Sequence, residues 1–250
     1  MPDPSGIVVE LESGHCLQAD HCKLATGWNE VGVPSDLKGV TTHPGWHGNP
    51  WATDRFDKIP LGAPVLLVGT GLTASDTFAV LTARGHQGPV LSLSRRGLRP
   101  ASQNPHRSTR SIWDHVLDTE PAVLRQLGTS ASLRNTLRLL RQRIAETDRN
   151  TSSWHVAFDE FRDAARILWN QWSIAEQRQY GRHLKSWYDA FRFRNPPQTE
   201  AIVRAGIEQG RLEFTAGRLG SARSSANRLV LAFEARRDGR VCQDHPASKS

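Results

Sequence analysis

The sequence predicts an α/β fold, and three patterns along its 250 residues support this prediction. Residues 63–94 read as strand, glycine turn, helix and strand, which together make one βαβ unit. Residues 111–209 carry apolar residues at helical spacing almost throughout. Strand patterns return at 212–215 and 228–235. We therefore expect a sheet with packed helices whose strands are separated by a helical insertion.

The first sixty residues differ in pattern from the rest of the chain. Residues 7–12 and 16–26 predict short strands, and the Ser-Gly-His sequence at 13–15 predicts a turn between them. Residues 28–62 are rich in Gly, Pro, Asn and Asp and have no sustained period. Such a long stretch predicts a connecting loop that crosses between domains.

The βαβ unit begins at Val65–Val68, a continuous apolar run that is typical of a strand buried on both faces of a parallel sheet. The glycines of residues 69–71 end this strand. Residues 73–84 have helical spacing and stop at Gly85, and residues 89–94 form the next strand. All of these elements fit within about 32 residues, the length expected of one unit.

The helical region contains two apolar stripes and one capping signal. The first stripe consists of Leu133, Leu137, Leu140 and Ile144, and the second of Trp154, Phe158, Phe161, Ala165, Leu168 and Trp172. Ser173 followed by Glu176 predicts a capping box at the start of a further helix, which runs to the Asn-Pro-Pro sequence at 195–197. A last helix is expected from Thr199 to Gly210.

The composition excludes several classes of protein. The longest strongly apolar run near the middle of the chain, residues 64–68, is far shorter than the roughly 20 residues of a membrane helix. Three scattered cysteines do not make a disulfide framework, and the N-terminus lacks a signal-peptide pattern, so a cytoplasmic location is expected. The spacing of His15, Cys16, His21 and Cys22 is not that of a zinc site, and no metal is expected.

The charge balance, 32 Lys and Arg against 25 Asp and Glu, gives +7 and favours anionic partners. Nucleic acid, acidic lipid and phosphorylated cofactors all fit this sign. In the helical region, however, the arginines alternate with acidic residues, a pattern typical of a solvated face. Nucleic-acid binding is therefore not the favoured interpretation.

Residues 69–74 match the G-x-G-x-x-G/A fingerprint of dinucleotide-binding, Rossmann-type folds, in the strand–turn–helix context that it requires. Gly69 permits a tight turn, Gly71 leaves room for a pyrophosphate, and Ala74 lets the helix pack close to the strand. Free amides at the helix start face the phosphates. The alternative is an ordinary glycine-rich turn of an unrelated α/β protein. The residues expected to cradle the pyrophosphate are Gly69, Thr70, Gly71, Leu72 and Thr73.

The end of the second strand favours NADP over NAD. An NAD site usually has Asp or Glu there, whereas this chain has Ser94, Arg95 and Arg96. A guanidinium can hold the 2′-phosphate of NADP through paired hydrogen bonds. The alternative is that both arginines simply cover a solvated turn. No catalytic acid, base or nucleophile is assigned.

These segments resemble the bacterial FAD/NAD(P)-binding proteins, which are relatives of the flavin oxidoreductases with two dinucleotide-binding domains. The resemblance rests on residues 65–76 and 93–97, on the Leu-Ala-Thr-Gly sequence at 24–27, on Asn49–Trp51 and on residues 168–194. It implies that NADPH held by the second nucleotide fold reduces an FAD held by the first, with oxygen or a small organic molecule as the acceptor.

The resemblance also implies a domain organisation. Residues 1–60 correspond to the end of an FAD domain plus a linker, with Gly27 at the turn that closes that domain. Residues 61–237 form the NAD(P)-binding domain with a helical insertion at 101–198, and residues 238–250 form a polar tail. No FAD fingerprint precedes Ile7, so a partial chain is expected. The alternative function is a truncated, non-catalytic dinucleotide-binding or interaction module.

Overall fold

A computed structural model describes residues 7–22, 32–103, 122–128, 131–149, 154–225 and 228–235. The chain forms two compact units, residues 1–32 and 33–250. The residues predicted to link two domains therefore group with the second unit from residue 33 onward. The assignment of residues 1–60 to the end of an FAD domain stays a prediction.

The first unit contains an antiparallel hairpin, in agreement with the predicted strand, turn and strand. Strand β1 (Ile7–Glu10) pairs with strand β2 (Cys16–Ala19), with Ile7 opposite Ala19. The turn closes through the Gly14 amide, which donates to the Leu11 carbonyl at 2.8 Å. Residues 23–31 lie outside the part of the chain that the structure describes.

The second unit contains a mixed α/β fold built on a four-stranded, mostly parallel sheet. The strand order is β3 (Val65–Val68), β4 (Val90–Ser94), β5 (Leu212–Ser225) and β6 (Arg228–Ala235). The first three strands are parallel, and β6 is antiparallel to β5. Helix α1 (Leu72–Ala83) connects β3 to β4, which confirms the predicted βαβ unit.

Strand β3 is less buried than its apolar sequence predicts. Among the described residues, only β4 pairs with it, so β3 forms an edge of the sheet. Val65, Leu66 and Leu67 are half-buried, and Val68 is 50% exposed. The expectation of a strand buried on both faces is therefore wrong for the described fold. An apolar run identifies a strand but not its place in the strand order.

Helix α1 packs beside helix α7 (Pro197–Glu208) on the sheet. Phe78 of α1 and Val203 of α7 belong to one buried cluster with Val90 and Leu212 of the central strands. The two helices approach closely, because a Cβ atom added at Gly206 would lie 2.3 Å from the ring of Phe78. This packing fixes α1, and with it the turn that precedes it, on the sheet.

The stretch predicted as a connecting loop contains two short 3₁₀ helices, Ser35–Val40 and Thr53–Lys58. Leu37 and Val40 are 1% exposed, and Phe56 packs into the cluster beneath α1. The loop interpretation was wrong for these segments, since three apolar residues without a regular period still anchor them. A 3₁₀ helix of six residues is too short to produce a readable period.

The described parts of the region between β4 and α7 are helical, as the apolar spacing predicts. Its elements are α2 (Ala122–Leu127), α3 (Leu133–Arg149), α4 (His155–Gln171), α5 (Ile174–Gln179), a π-helical segment (Tyr180–Leu184) and α6 (Lys185–Arg192). The first three helices share a separate buried core around Phe161 and Leu168. Ala164 is buried in that core, whereas Ala165 of the predicted stripe is exposed.

The capping box at Ser173 is confirmed, and its carboxylate caps a second helix as well. Glu176 accepts from the Ser173 amide at 3.0 Å and from the Ser173 hydroxyl at 2.8 Å. Its other oxygen accepts from the Leu133 amide at 2.9 Å, at the start of α3. One carboxylate therefore satisfies the free amides of two helix N-termini.

We expect Glu176→Ala to lower the free energy of unfolding by about 1–2 kcal/mol, the usual cost of a lost N-cap. The hydrogen bond from the Leu133 amide, followed by those from Ser173, lowers the pKa of Glu176 below its ordinary value of 4.5. A lowered folded-state pKa stabilises the protein above the unfolded-state pKa, and this contribution disappears as the pH falls through the folded value. The difference in urea midpoint between wild type and Glu176→Gln should therefore shrink below about pH 4.5. A difference that stays constant down to pH 3 would contradict this role.

Candidate functional site

The turn between β3 and α1 is held in place by strand β4. The Gly69 amide donates to the Leu93 carbonyl at 2.8 Å, and the Ser92 hydroxyl donates to the Gly69 carbonyl at 2.7 Å. Gly69 has φ = 125°, a backbone conformation that other residues rarely adopt. The predicted need for glycine at this first position is therefore confirmed by the backbone.

Gly71 differs from Gly69, because its conformation does not require a glycine. Its φ of −82° and ψ of −168° are accessible to any residue, so the backbone does not require glycine. A Cβ atom added at Gly71 would meet no atom within 4 Å, so the packing does not require it either. The space in front of this residue is open, as the fingerprint expects where a pyrophosphate approaches.

Gly71 also begins helix α1. The amides of Ala74 and Ser75 donate to the Gly71 carbonyl at 3.0 and 3.3 Å. The preceding amides, of Leu72 and Thr73, have no carbonyl within the helix to bond, and no side chain caps this end. The first turn contains no acidic residue, because Asp76 is the fifth helical residue and is exposed. No acidic side chain in the first turn of α1 therefore repels an anion bound at this helix start.

The hydroxyl of Thr70 is used inside the fold. Thr70 is 6% exposed, and its oxygen lies 2.6 Å from the Leu98 carbonyl and 2.8 Å from the Ser94 hydroxyl. A carbonyl can only accept, so the single proton of Thr70 goes to Leu98, and Ser94 donates to Thr70. The oxygen of Ser94 accepts in turn from the Gly97 amide at 3.0 Å.

This chain of hydrogen bonds ties the glycine turn to the end of β4. Thr70 and Ser94 were predicted as contacts to the cofactor, and the structure gives both hydroxyls partners within the protein. Their hydroxyl protons are used within the protein, so neither hydroxyl is free to donate to a ligand. Ala74 is half-buried, in keeping with a small residue where α1 meets the strands.

The two arginines that follow Ser94 have different surroundings. Arg95 is exposed, and among the described residues no hydrogen bond or ion pair involves it. Arg96 is partly buried, and its two terminal nitrogens donate to the carbonyls of His183 and Arg182 at 2.7 and 2.6 Å. Sequence patterns cannot distinguish the two arginines, because the partners of Arg96 lie 86 and 87 residues away.

A buried polar cluster beside this segment was not predicted. Arg99 donates to both oxygens of Glu200, at 3.0 and 3.1 Å, and Asn195 donates to the same carboxylate at 3.0 Å. Glu200 is 5% exposed and Asn195 is fully buried. The cluster fastens the segment after β4 to the start of α7. Arg99 lies 101 residues before Glu200, so no local motif could reveal their contact.

Burial also shifts the titration of groups in the helical insertion. Desolvation raises the pKa of Tyr180, the first residue of the π-helical segment, and the pKa of Tyr188 in α6. Desolvation lowers the pKa of Arg192, with Arg162 as the next contribution. Both tyrosines pack in an aromatic cluster, where their ring centroids are 6.3 Å apart. Neutral phenols in this position contribute packing and no negative charge.

The other residues considered as candidates are two exposed cysteines and Gly27, which lies outside the described residues. Cys16 and Cys22 are exposed thiols, and the described parts of the chain contain no group of three or more metal-ligating side chains. Gly27 falls outside the described residues, so its predicted place in an FAD domain has no structural counterpart here.

Comparison of the chain with models of protein families, with curated proteins and with solved structures finds no match. No helix among the described residues has the length and apolar character needed to cross a membrane. The features of the molecule that bear on its function are therefore the turn, its free helix start and the arginines beside it.

Proposed function

We propose that this chain binds NADP at the turn formed by residues 69–73, as a Rossmann-type domain. The observation that carries this proposal is the glycine at position 71, which faces open space. Neither its backbone conformation nor its packing requires a glycine there. A pyrophosphate in that space would accept from the free amides of Leu72 and Thr73 and would benefit from the helix dipole. The turn follows the carboxyl end of a parallel strand, where such folds bind their ligand, although β3 is an edge strand of the described sheet and not one beside a switch point.

NADP is favoured over NAD by the charges at the end of β4. This position has no carboxylate to accept the ribose 2′-hydroxyl, and the exposed guanidinium of Arg95 has no hydrogen-bonding or ionic partner among the described residues. A 2′-phosphate would satisfy such a guanidinium, whereas a carboxylate would repel the phosphate.

The proposed reaction is hydride transfer from NADPH to FAD, and from the flavin to oxygen or a small organic acceptor. This part depends on the resemblance to FAD/NAD(P)-binding proteins, and no described residue is assigned to the flavin. The protein's share is to position the nicotinamide ring and to supply the electrostatics of the site.

A non-catalytic dinucleotide-binding or interaction module is the second candidate. It is favoured by the use of the Thr70, Ser92 and Ser94 hydroxyls inside the fold, since none of them is left to act on a substrate.

Titration calorimetry and absorbance spectroscopy on the purified chain test both candidates. The main proposal expects heat on adding NADPH and NADPH-dependent reduction of added FAD. Binding of NADPH without reduction of FAD supports the module. Absence of heat with both NADPH and NADH contradicts dinucleotide binding altogether.

A further inference from the structure

The contact of Arg96 with the helical insertion gives the two neighbouring arginines different tasks. Arg96 leaves the end of β4 and reaches two successive carbonyls, those of Arg182 and His183, at 2.6 and 2.7 Å. Both carbonyls belong to the π-helical segment between α5 and α6. A planar guanidinium can donate two parallel hydrogen bonds in this way, whereas a lysine ammonium cannot reproduce the fork.

The two carbonyls lie in a turn with π-helical spacing. In an α-helix each carbonyl accepts from the amide four residues later. In this segment the spacing widens to five residues, as in the bond from the Lys185 amide to the Tyr180 carbonyl. The widened turn changes the regular pattern of backbone hydrogen bonds in the helix. The guanidinium of Arg96 donates to two carbonyls of this turn. Arg182 and His183 are themselves exposed, so the approach is open from outside.

Arg95 differs from Arg96 in every one of these respects. It is exposed and, within the described parts of the chain, without a hydrogen-bonding or ionic partner. A phosphate that bound Arg95 would break no hydrogen bond or ion pair with a described residue. A phosphate that bound Arg96 would first have to release two charge-assisted hydrogen bonds.

We propose that Arg95 reads the 2′-phosphate of NADP, and that Arg96 is a positioning residue which fastens the π-helical segment of the insertion to the nucleotide-binding turn. The role of Arg95 rests on the proposed function. The role of Arg96 does not, because it depends only on contacts within the protein. The two neighbouring arginines thus have separate roles, Arg95 in recognition of the cofactor and Arg96 in positioning of the insertion.

The first test measures the affinities of NADPH and NADH for wild type, Arg95→Gln and Arg96→Gln by calorimetry. Arg95→Gln should weaken the affinity for NADPH roughly ten- to a hundredfold, because a charged hydrogen-bonding partner of the phosphate is lost. The affinity for NADH should stay within about threefold of the wild-type value. Arg96→Gln should change both affinities by the same factor. A selective loss of NADPH in Arg96→Gln, or equal losses in Arg95→Gln, would overturn the assignment.

The second test uses amide hydrogen exchange without any nucleotide. Arg96→Gln should raise exchange in residues 180–188, and Arg96→Lys should restore protection in part, because one hydrogen bond can re-form. Arg95→Gln is the matched control and should exchange like wild type. Unchanged exchange in Arg96→Gln would refute the positioning role. If wild type binds neither nucleotide, the role of Arg95 fails with the proposed function, and exchange still decides the role of Arg96.

Discussion

Gly71→Val is expected to lower the affinity for NADPH at least about a hundredfold, a loss of roughly 2.7 kcal/mol in binding free energy. The valine side chain would project into the open space at the start of α1, where the pyrophosphate has to approach the amides of Leu72 and Thr73. Titration calorimetry with NADPH measures this loss directly.

The fold should tolerate this substitution, so the loss of binding can be separated from unfolding. The backbone at Gly71 suits a β-branched residue, and an added Cβ meets no protein atom within 4 Å. Valine is a poorer N-cap than glycine, which accounts for a decrease of about 1 kcal/mol or less in stability. Thermal unfolding should therefore remain cooperative, with a midpoint only a few degrees lower.

Gly62→Ala provides the matched control, because Gly62 is exposed and a Cβ there also meets nothing within 4 Å. This variant should bind NADPH as wild type does. If Gly71→Val proves too unstable, Gly71→Ala places the smaller group in the same space and should still weaken NADPH. Wild-type affinity in both Gly71 variants would mean that no pyrophosphate lies at this turn.

Local signals allowed much of this structure to be predicted. The βαβ unit could be predicted because the apolar run at 65–68, the glycine turn and the helical spacing are adjacent in sequence. The capping box at Ser173 could be predicted for the same reason, since its two partners are three residues apart. The glycine at position 69 could be assigned to a turn because its conformation follows from the short connection.

Features that depend on distant partners could not be predicted. The edge position of β3 is set by which strands pair, and the apolar run carries no information about that. The partners of Arg96 and Thr70 lie 24 to 87 residues away, so the sequence could not show which side chains are free for a ligand. The choice between Ala164 and Ala165 depends on helix rotation within the insertion core.

Asp159→Leu is expected to lower the free energy of unfolding by about 3–5 kcal/mol, the usual cost of breaking a buried ion pair. The Arg194 side chain is only 3% exposed, and its nitrogen donates to the Asp159 carboxylate at 2.6 Å. An arginine cannot lose its charge, so removal of Asp159 leaves a buried cation without its counter-charge. Urea unfolding, with the slope held to the wild-type value, measures the change.

A double-mutant cycle separates this ion pair from simple loss of packing. Asp159→Leu combined with Arg194→Met removes both charges, so the double variant should be more stable than the sum of the two single changes predicts, by 1 kcal/mol or more. Asp163→Asn on the same helix is the control, because its contact with Arg162 at 2.7 Å is about a third exposed and should contribute at most about 1 kcal/mol. Strict additivity in the cycle would mean that Arg194 and Asp159 act independently. In that case the end of α6 would depend on the aromatic contacts of Trp154 and Phe158 with Phe191 and not on charge.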